Sequence, residues 1–318
     1  MKALWYVAPG VAELREAPLR EAGADECRVR MLASGVSRGT ERLVLHGQVP
    51  ESQRPVMRAP LQEGDFPFPV KYGYSAVGVV EAGPMLGQRV FCLHPHQDQF
   101  IAPAAMCLAV PEAVPTQRAV LAANMETAVN ILWDAAPLVG ERVLVVGAGV
   151  VGLLTALLLA KLPGVVVVVC DIDATRASLV QSFGARFCLP DAAPGERDLV
   201  VHASASQAGL RLALACCGFE GRVVEASWYG GKDIALPLGE AFHAKRLRLI
   251  STQVGAIASV MRGRRSYADR LSLALSLLDD ARLDALLGPA VRFANLPAAL
   301  LALLAPDAPG LCPVVSYV

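Results

Sequence analysis

Between Glu141 and Asp173 the chain reads ERVLVVGAGVVGLLTALLLAKLPGVVVVVCDID. This stretch constrains the fold more than any other, because strand, tight turn, helix and second strand follow one another in register. Val143 to Val146 is short and β-branched, as a strand covered on both faces needs to be. It feeds Gly147, Gly149 and Gly152 in G-x-G-x-x-G order. Gly147 permits the turn, Gly149 lets backbone approach a pyrophosphate, and Gly152 lets the helix pack on the strand. Val150 and Val151 open that helix, whose unpaired N–H groups and positive end suit phosphates. A second buried strand, Val165 to Cys170, ends in Asp171, nineteen positions after Gly152. At that spacing a carboxylate reaches the adenosine ribose hydroxyls. An ordinary βα turn beside an exposed aspartate shares single pieces of this pattern, but not all of them in order.

A carboxylate at Asp171 accepts from two ribose hydroxyls and repels a 2′-phosphate, so NAD(H) is expected rather than NADP(H). Arg176, five residues on, either tolerates phosphate or covers the adenosine.

With 318 residues, 54% of them hydrophobic, the chain is long enough for two domains with substantial cores. Twenty-nine basic and 29 acidic residues cancel, so no global field favours nucleic acid or an anionic membrane. Val143 to Ala160 carries no charge over 18 residues, yet glycines at phosphate-loop positions divide it into strand and helix rather than a membrane span. The N-terminus, MKALWYVAPG, is strand-like and has no signal-peptide pattern, so a cytoplasmic protein is expected. The eight cysteines form no C-x-x-C pair, which fits reduced, buried thiols and argues against a structural zinc lobe.

Residues 1 to about 120 read as β-rich, with apolar runs at Ala3–Val7, Arg28–Met31, Val77–Val80 and Arg89–Leu93 separated by Gly and Pro. The pattern then turns helical through Ala119–Ala135. After the glycine motif come a strand and its turn at Arg197–Ser206, a helix at Ala208–Cys217, and strands at Arg222–Ala226 and Arg248–Val254. An amphipathic helix follows over Tyr267–Leu287, with VVSYV as a closing strand. Strand ends at Ser204 and at Ser227, Trp228 and Tyr229 face the ligand crevice of a doubly wound parallel sheet.

In this order the chain resembles the medium-chain dehydrogenase/reductase superfamily over nearly its full length. The resemblance rests on GVSRGTERLVLHG (Gly35 to Gly47), VKYGYSAVGVVEAG (Val70 to Gly83), METAVNIL (Met125 to Leu132), the glycine motif and the closing helix and strand. It implies an α/β protein with a GroES-like β-rich catalytic domain over 1–125, a Rossmann domain over 126–255 and a C-terminal return to the catalytic domain over 256–318. It also implies a homodimer formed through Rossmann edges, for which Ile250 to Val254 is a candidate edge.

Zinc-dependent members carry three catalytic metal ligands, and the matching places here hold Ser37, Tyr74 followed by Ser75, and Ala123 or Asn124. A hydroxyl, a phenol and an amide do not hold zinc tightly, so neither catalytic nor structural zinc is expected. His94 and His96, in FCLHPHQ, are the one close histidine pair, and without a third ligand nearby they read as surface or substrate contacts rather than a metal site. The G-[IV]-S-x-G-T-E pattern and the tyrosine at 74 are similar to the zinc-lacking branch that contains bacteriochlorophyllide a dehydrogenase. The G-Y-S sequence and the longer segment Gln48 to Val70 depart from that branch.

Without a Lewis acid, hydride transfer at an alcohol carbon needs protein groups to handle the proton. Tyr74 is the first candidate, and cavity filling is its alternative role. Thr40 matches the superfamily's proton-relay hydroxyl, with Ser37 the equivalent in a shifted register. Glu41 matches an acidic position that orients its neighbours. His46 is a candidate outer relay or a solvated side chain. Glu126, at a helix start, either serves the site or favours the helix dipole. Ser227, Trp228 and Tyr229 are expected against the nicotinamide. The Gln48 to Val70 segment, carrying Met57, Phe66 and Phe68 beside Arg54 and Arg58, reads as a lid over a bulky, partly apolar small-molecule substrate or as a surface insertion.

The expected function is a zinc-independent NAD(H)-dependent oxidoreductase interconverting a secondary alcohol and a ketone. The rival readings are an NADPH-dependent reductase of conjugated double bonds, as in enoyl and quinone reductases, and a non-catalytic nucleotide-binding scaffold.

Overall fold

A computed structural model describes residues 1–305 and 307–318. The chain forms two compact units, one built from Met1–Ala123 with Leu271–Val318 and the other from Asn124–Arg270.

The first unit is a β structure of two sheets. In the smaller, the strands Val11–Glu16, Lys2–Ala8, Val70–Lys71 and Glu63–Gly64 lie side by side, all antiparallel. In the larger, Glu26–Gly35 is the long central strand. It pairs antiparallel with Ala76–Ala82, with Gln99–Pro103 and with the closing strand Cys312–Ser316. Alternation of buried Cys27, Val29 and Met31 with more exposed residues along the central strand gives it one apolar face. That face packs with Val80, Val90, Cys92, Phe100 and Cys107. The C-terminal return is a matter of register: Val314 lies opposite Gly35 and Ser316 opposite Ala33, which brings Tyr317 back over the strand that leads to Ser37.

The second unit holds a six-stranded, wholly parallel sheet. Its spatial order is Arg186–Cys188, Val166–Cys170, Arg142–Val146, Arg197–His202, Cys217–Glu225, Arg248–Ser251. By sequence position this is the 3-2-1-4-5-6 order of a doubly wound nucleotide-binding sheet, whose chain reversal falls beside the first strand. Val143, Leu144 and Val145 are fully buried, as covered faces on both sides require. The helix Gln207–Cys216 packs its Leu210, Ala213 and Leu214 on one face with Val146, Val200 and Val223. Ser206 caps that helix, its hydroxyl accepting from the Gly209 N–H at 3.0 Å.

Several elements differ from the expected bounds. The helical run over 119–135 is two helices, Thr116–Ala119 and Ala122–Ala135. The run over 267–287 is an α-helix only at Tyr267–Ser276; the backbone then turns, Asp280 caps a 3-10 helix over Ala281–Leu286, and a strand follows at Leu287–Arg292. Hydrophobic period alone does not reveal such a break, because the cap is a single polar residue. The segment 256–270 stays with the second unit, whereas the sequence reading began the return at 256. Arg270 ties it there, bonding to Glu126, Asn130 and the carbonyl oxygens of Val254 and Ala256.

Candidate active site

The glycine turn of the second unit has the form its sequence demands. Gly147 has φ +111°, and a Cβ there would lie 2.9 Å from the Ser204 nitrogen. A Cβ on Gly152 would fall 2.0 Å from the Gly147 carbonyl oxygen, so only glycine lets the helix Val150–Ala160 approach the first strand this closely. Gly149 caps that helix and has no atom within 4 Å of where its Cβ would stand. The helix start, with Val150 and Val151 in its first turn, is therefore uncovered by this unit at the place a pyrophosphate would occupy.

Asp171 stands at the end of the second strand. Its Oδ2 accepts from the Ala148 N–H at 2.5 Å and its Oδ1 from the Asp173 N–H at 2.9 Å. Both bonds orient the carboxylate at the rim of the glycine turn and leave each oxygen a further lone pair. Arg176 forms an ion pair with Asp173 at 3.1 Å.

At the ends of the fourth and fifth strands the side chains of His202, Ser204, Glu225, Ser227 and Tyr229 bond to one another. Ser227 donates its N–H to Glu225 Oε1 at 2.7 Å, and its hydroxyl accepts from the Ala205 N–H at 3.0 Å. The Tyr229 hydroxyl donates to Glu225 Oε2 at 3.0 Å, and its ring packs on the sheet core. Burial pushes the Glu225 carboxyl up, but its contacts with His202 and Ser227 outweigh that and leave it below the usual range. Trp228 is half-buried. Nothing in the sequence spacing singled out His202 or Glu225, which sit 23 residues apart and meet only because their strands pair in register.

In the first unit the central strand ends at Gly35 and the chain turns through Ser37 into the helix Thr40–Leu45. Tyr74 is half-buried above this turn and meets the Tyr72 ring edge-on at 6.0 Å between centroids. Burial pushes its phenol up to about 12, against the stabilising hydrogen bonds of the Ser37 and Thr40 hydroxyls. The three side chains that the sequence proposed for proton handling are thus brought together.

Glu41 lies beneath them, fully buried. Its Oε1 accepts from the Ser37 N–H at 2.7 Å, and its Oε2 meets the Tyr6 hydroxyl at 2.8 Å and His96 Nε2 at 3.0 Å. The other nitrogen of His96 is 2.7 Å from the Ser34 hydroxyl, itself 3.0 Å from the Tyr317 hydroxyl. A buried carboxylate satisfied by three partners fixes the helix start that carries Ser37 and Thr40.

Other sequence candidates fall elsewhere. His46 is exposed at the end of the short helix. Glu126 is buried in an ion pair with Arg270 at 3.0 Å, a structural role within the second unit. His94 and His96 do not face solvent, contrary to the sequence reading. His94 stacks on Phe100 at 3.9 Å, where burial holds its imidazole down to about 3, and His96 belongs to the Glu41 network. The Gln48–Val70 segment is not an open loop: its Glu63–Gly64 strand pairs with Val70–Lys71, and Phe66 packs against Tyr72.

The places that the resemblance matches to zinc ligands hold Ser37, Tyr74 followed by Ser75, and Ala123 or Asn124, and the Ser75 hydroxyl is engaged with the Val120 carbonyl. These donors do not fit zinc, and no group of three His, Cys, Asp or Glu side chains among the described residues is placed to hold a metal. No helix is long and apolar enough to cross a membrane among the described residues.

No protein-family model matches the chain. Among curated proteins, the sorbitol dehydrogenase of Bos taurus is 23% identical over 313 residues, covering 85% of this chain and 83% of that protein. A short chain alcohol dehydrogenase from E. coli CFT073, solved with NADH, superposes with a TM-score of 0.80 at 17% identity, over 100% of this chain and 99% of the other. A putative zinc-binding dehydrogenase from Sinorhizobium meliloti 1021, solved with NADP, gives 0.79 at 17% identity over 99% and 98%. Element order, the sheet topology of both units and these likenesses together show that the chain has the fold of these dehydrogenases.

Proposed function

We propose that the protein is an NAD(H)-dependent, zinc-independent oxidoreductase that interconverts a secondary alcohol and a ketone of a small-molecule substrate. The observation that carries the cofactor half is the Asp171 carboxylate, held by the Ala148 N–H at the rim of an uncovered glycine turn. It offers lone pairs to ribose hydroxyls and repels a 2′-phosphate, while Arg176 is already engaged by Asp173. Gly147, Gly149, Gly152, Val150 and Val151 would line the pyrophosphate, and Ser204, Ser227, Trp228 and Tyr229 the nicotinamide half. The bound cofactor supplies the hydride chemistry.

The chain's own contribution is proton handling. A phenol with its pKa near 12 remains protonated at neutral pH, so Tyr74 is suited to donate a proton to a ketone oxygen rather than to act as a standing base. Ser37 and Thr40 hydroxyls stabilise the phenolate left behind. Glu41 contributes by position, anchoring Ser37 through its backbone. Donation from Tyr74 does part of what a metal does for zinc-dependent relatives, which favours ketone reduction as the faster direction at neutral pH.

The test is a paired calorimetric titration with NADH and NADPH, followed by a ketone and alcohol screen. Tighter NADH binding, lost by about 10- to 100-fold in Asp171→Ala, is expected from removing hydrogen bonds to a charged acceptor. Preference for NADPH would move the assignment to a double-bond reductase, and NADH binding without turnover of any ketone or alcohol would leave a nucleotide-binding scaffold.

A further inference from the structure

The ends of two parallel strands in the second unit hold a serine, an imidazole and a carboxylate in linear order. Ser204 Oγ lies 2.7 Å from His202 Nε2, and His202 Nδ1 lies 2.7 Å from Glu225 Oε2. His202 is fully buried, whereas Ser204 is exposed.

The proton positions along this line follow from the donors available. Gly209 N–H donates to Ser206 Oγ at 3.0 Å, so the Ser206 hydroxyl is free to donate to Ser204 Oγ at 3.0 Å. Ser204 then donates to His202 Nε2, which requires the proton of the neutral imidazole to sit on Nδ1, facing Glu225. Glu225 is an acceptor for all its neighbours, since the Ser227 N–H and the Tyr229 hydroxyl also point to it. Every group on the line has one role, and the imidazole is left with its basic nitrogen against the serine hydroxyl.

The backbone supports the same geometry. The residue after Ser204, Ala205, has φ +50° without being glycine, a strained turn held by the bond from its N–H to Ser227 Oγ. A Cβ on Gly209 would lie 2.3 Å from Ser204 Oγ and 2.8 Å from His202 Nε2, so the helix is built close over the pair. Among the described residues no partner meets the N–H groups of Gln207 and Ala208 in the first turn of the Gln207–Cys216 helix, which can serve a developing oxyanion.

We propose that Ser204, with His202 as base and Glu225 orienting it, is an activated nucleophile that cleaves short-chain carboxylic esters. Ser204 Oγ bonds to the acyl carbon as its proton passes to His202 Nε2. The bond from that carbon to the alkoxy oxygen breaks, and the departing oxygen takes the proton from His202 to leave as the alcohol. Water then adds to the acyl carbon, giving a proton to His202, and Ser204 leaves with that proton restored. The sum is ester plus water to acid plus alcohol, with no change of oxidation state. This activity needs neither nicotinamide nor Tyr74, so it can be read without the oxidoreductase assignment, but Ser204 also lines the proposed nicotinamide half and bound NADH is expected to block it.

The experiment treats the full-length protein, without nucleotide, with p-nitrophenyl acetate and separately with diisopropyl fluorophosphate, and locates adducts by peptide mass spectrometry. The expected result is modification at Ser204 at least about 100-fold faster than at any other serine, reduced by about the same factor in Glu225→Gln and abolished in Ser204→Ala. Absence of an adduct on Ser204 in protein that shows cooperative thermal unfolding would overturn the proposal. So would an adduct that forms equally fast in a folded Glu225→Gln variant.

Discussion

Replacing Arg270 by alanine should destabilise the second unit in a way that depends on pH. The guanidinium is almost fully buried and donates to Glu126 Oε1 at 3.0 Å, Asn130 Oδ1 at 2.6 Å and the Val254 carbonyl at 2.5 Å. Removing it strands a carboxylate that is itself 4% exposed. Breaking a buried pair from one side costs about 3–5 kcal/mol, which corresponds to a fall in Tm of roughly 10 °C or more. Burial already raises the pKa of Glu126, and Arg270 is what opposes that rise. Without the cation the folded-state pKa climbs further above the unfolded value. A group raised in this way contributes no penalty below its unfolded pKa, where both states are protonated, and a growing one as pH rises through the folded value. The deficit of the variant should therefore be largest at about pH 8 and shrink toward about pH 4, below the ordinary glutamate value, leaving only the lost packing and hydrogen bonds. Adding Glu126→Gln to Arg270→Ala should recover about 1–3 kcal/mol at the higher pH, because a neutral amide costs less to bury unpaired. Urea denaturation of the single and double variants at both pH values reads this directly. A deficit constant with pH, or a double variant no more stable than the single, refutes the assignment of Glu126 to a structural ion pair.

Tyr74→Phe should lower ketone reduction by about two orders of magnitude with little change in NADH affinity, measured by steady-state kinetics and calorimetry together; unchanged turnover removes the phenol from the mechanism. Since burial holds that phenol up to about 12, the wild-type reduction rate should show no loss from phenol ionisation across neutral pH, and a fall set by this group only at strongly alkaline pH. Gly152→Ala should abolish nucleotide binding and lower stability, because the added methyl meets the Gly147 carbonyl oxygen at 2.0 Å and helix and strand must separate. A variant that binds NADH normally would mean that this packing does not shape the site.

The parallel-sheet unit was legible because its determinants are local. Gly147, Gly149, Gly152 and Asp171 lie within 25 residues, and backbone sterics give each glycine one reason to be there. The clustering of Ser37, Thr40 and Tyr74 came only through resemblance. Nothing in the intervening residues dictates that the turn after Gly35 should meet the segment after Val70; antiparallel pairing of Glu26–Gly35 with Ala76–Ala82 does so. The histidines were misread for a related reason. A polar residue beside a proline looks exposed in sequence, but His96 finds Glu41 55 positions away and is buried by that bond.

The sequence by itself determined the first parallel strand pair of the second unit, its glycine turn and the acid at the end of its second strand, because each follows from interactions within a single βαβ unit. The tertiary structure alone decided the rest. Glu126 is paired with Arg270 at a separation of 144 residues, Glu41 is satisfied by Tyr6, Ser37 and His96, and Ser204, His202 and Glu225 are aligned by strand register. A buried charge needs a partner, and which residue supplies it is set by the packing of distant strands and helices rather than by spacing along the chain.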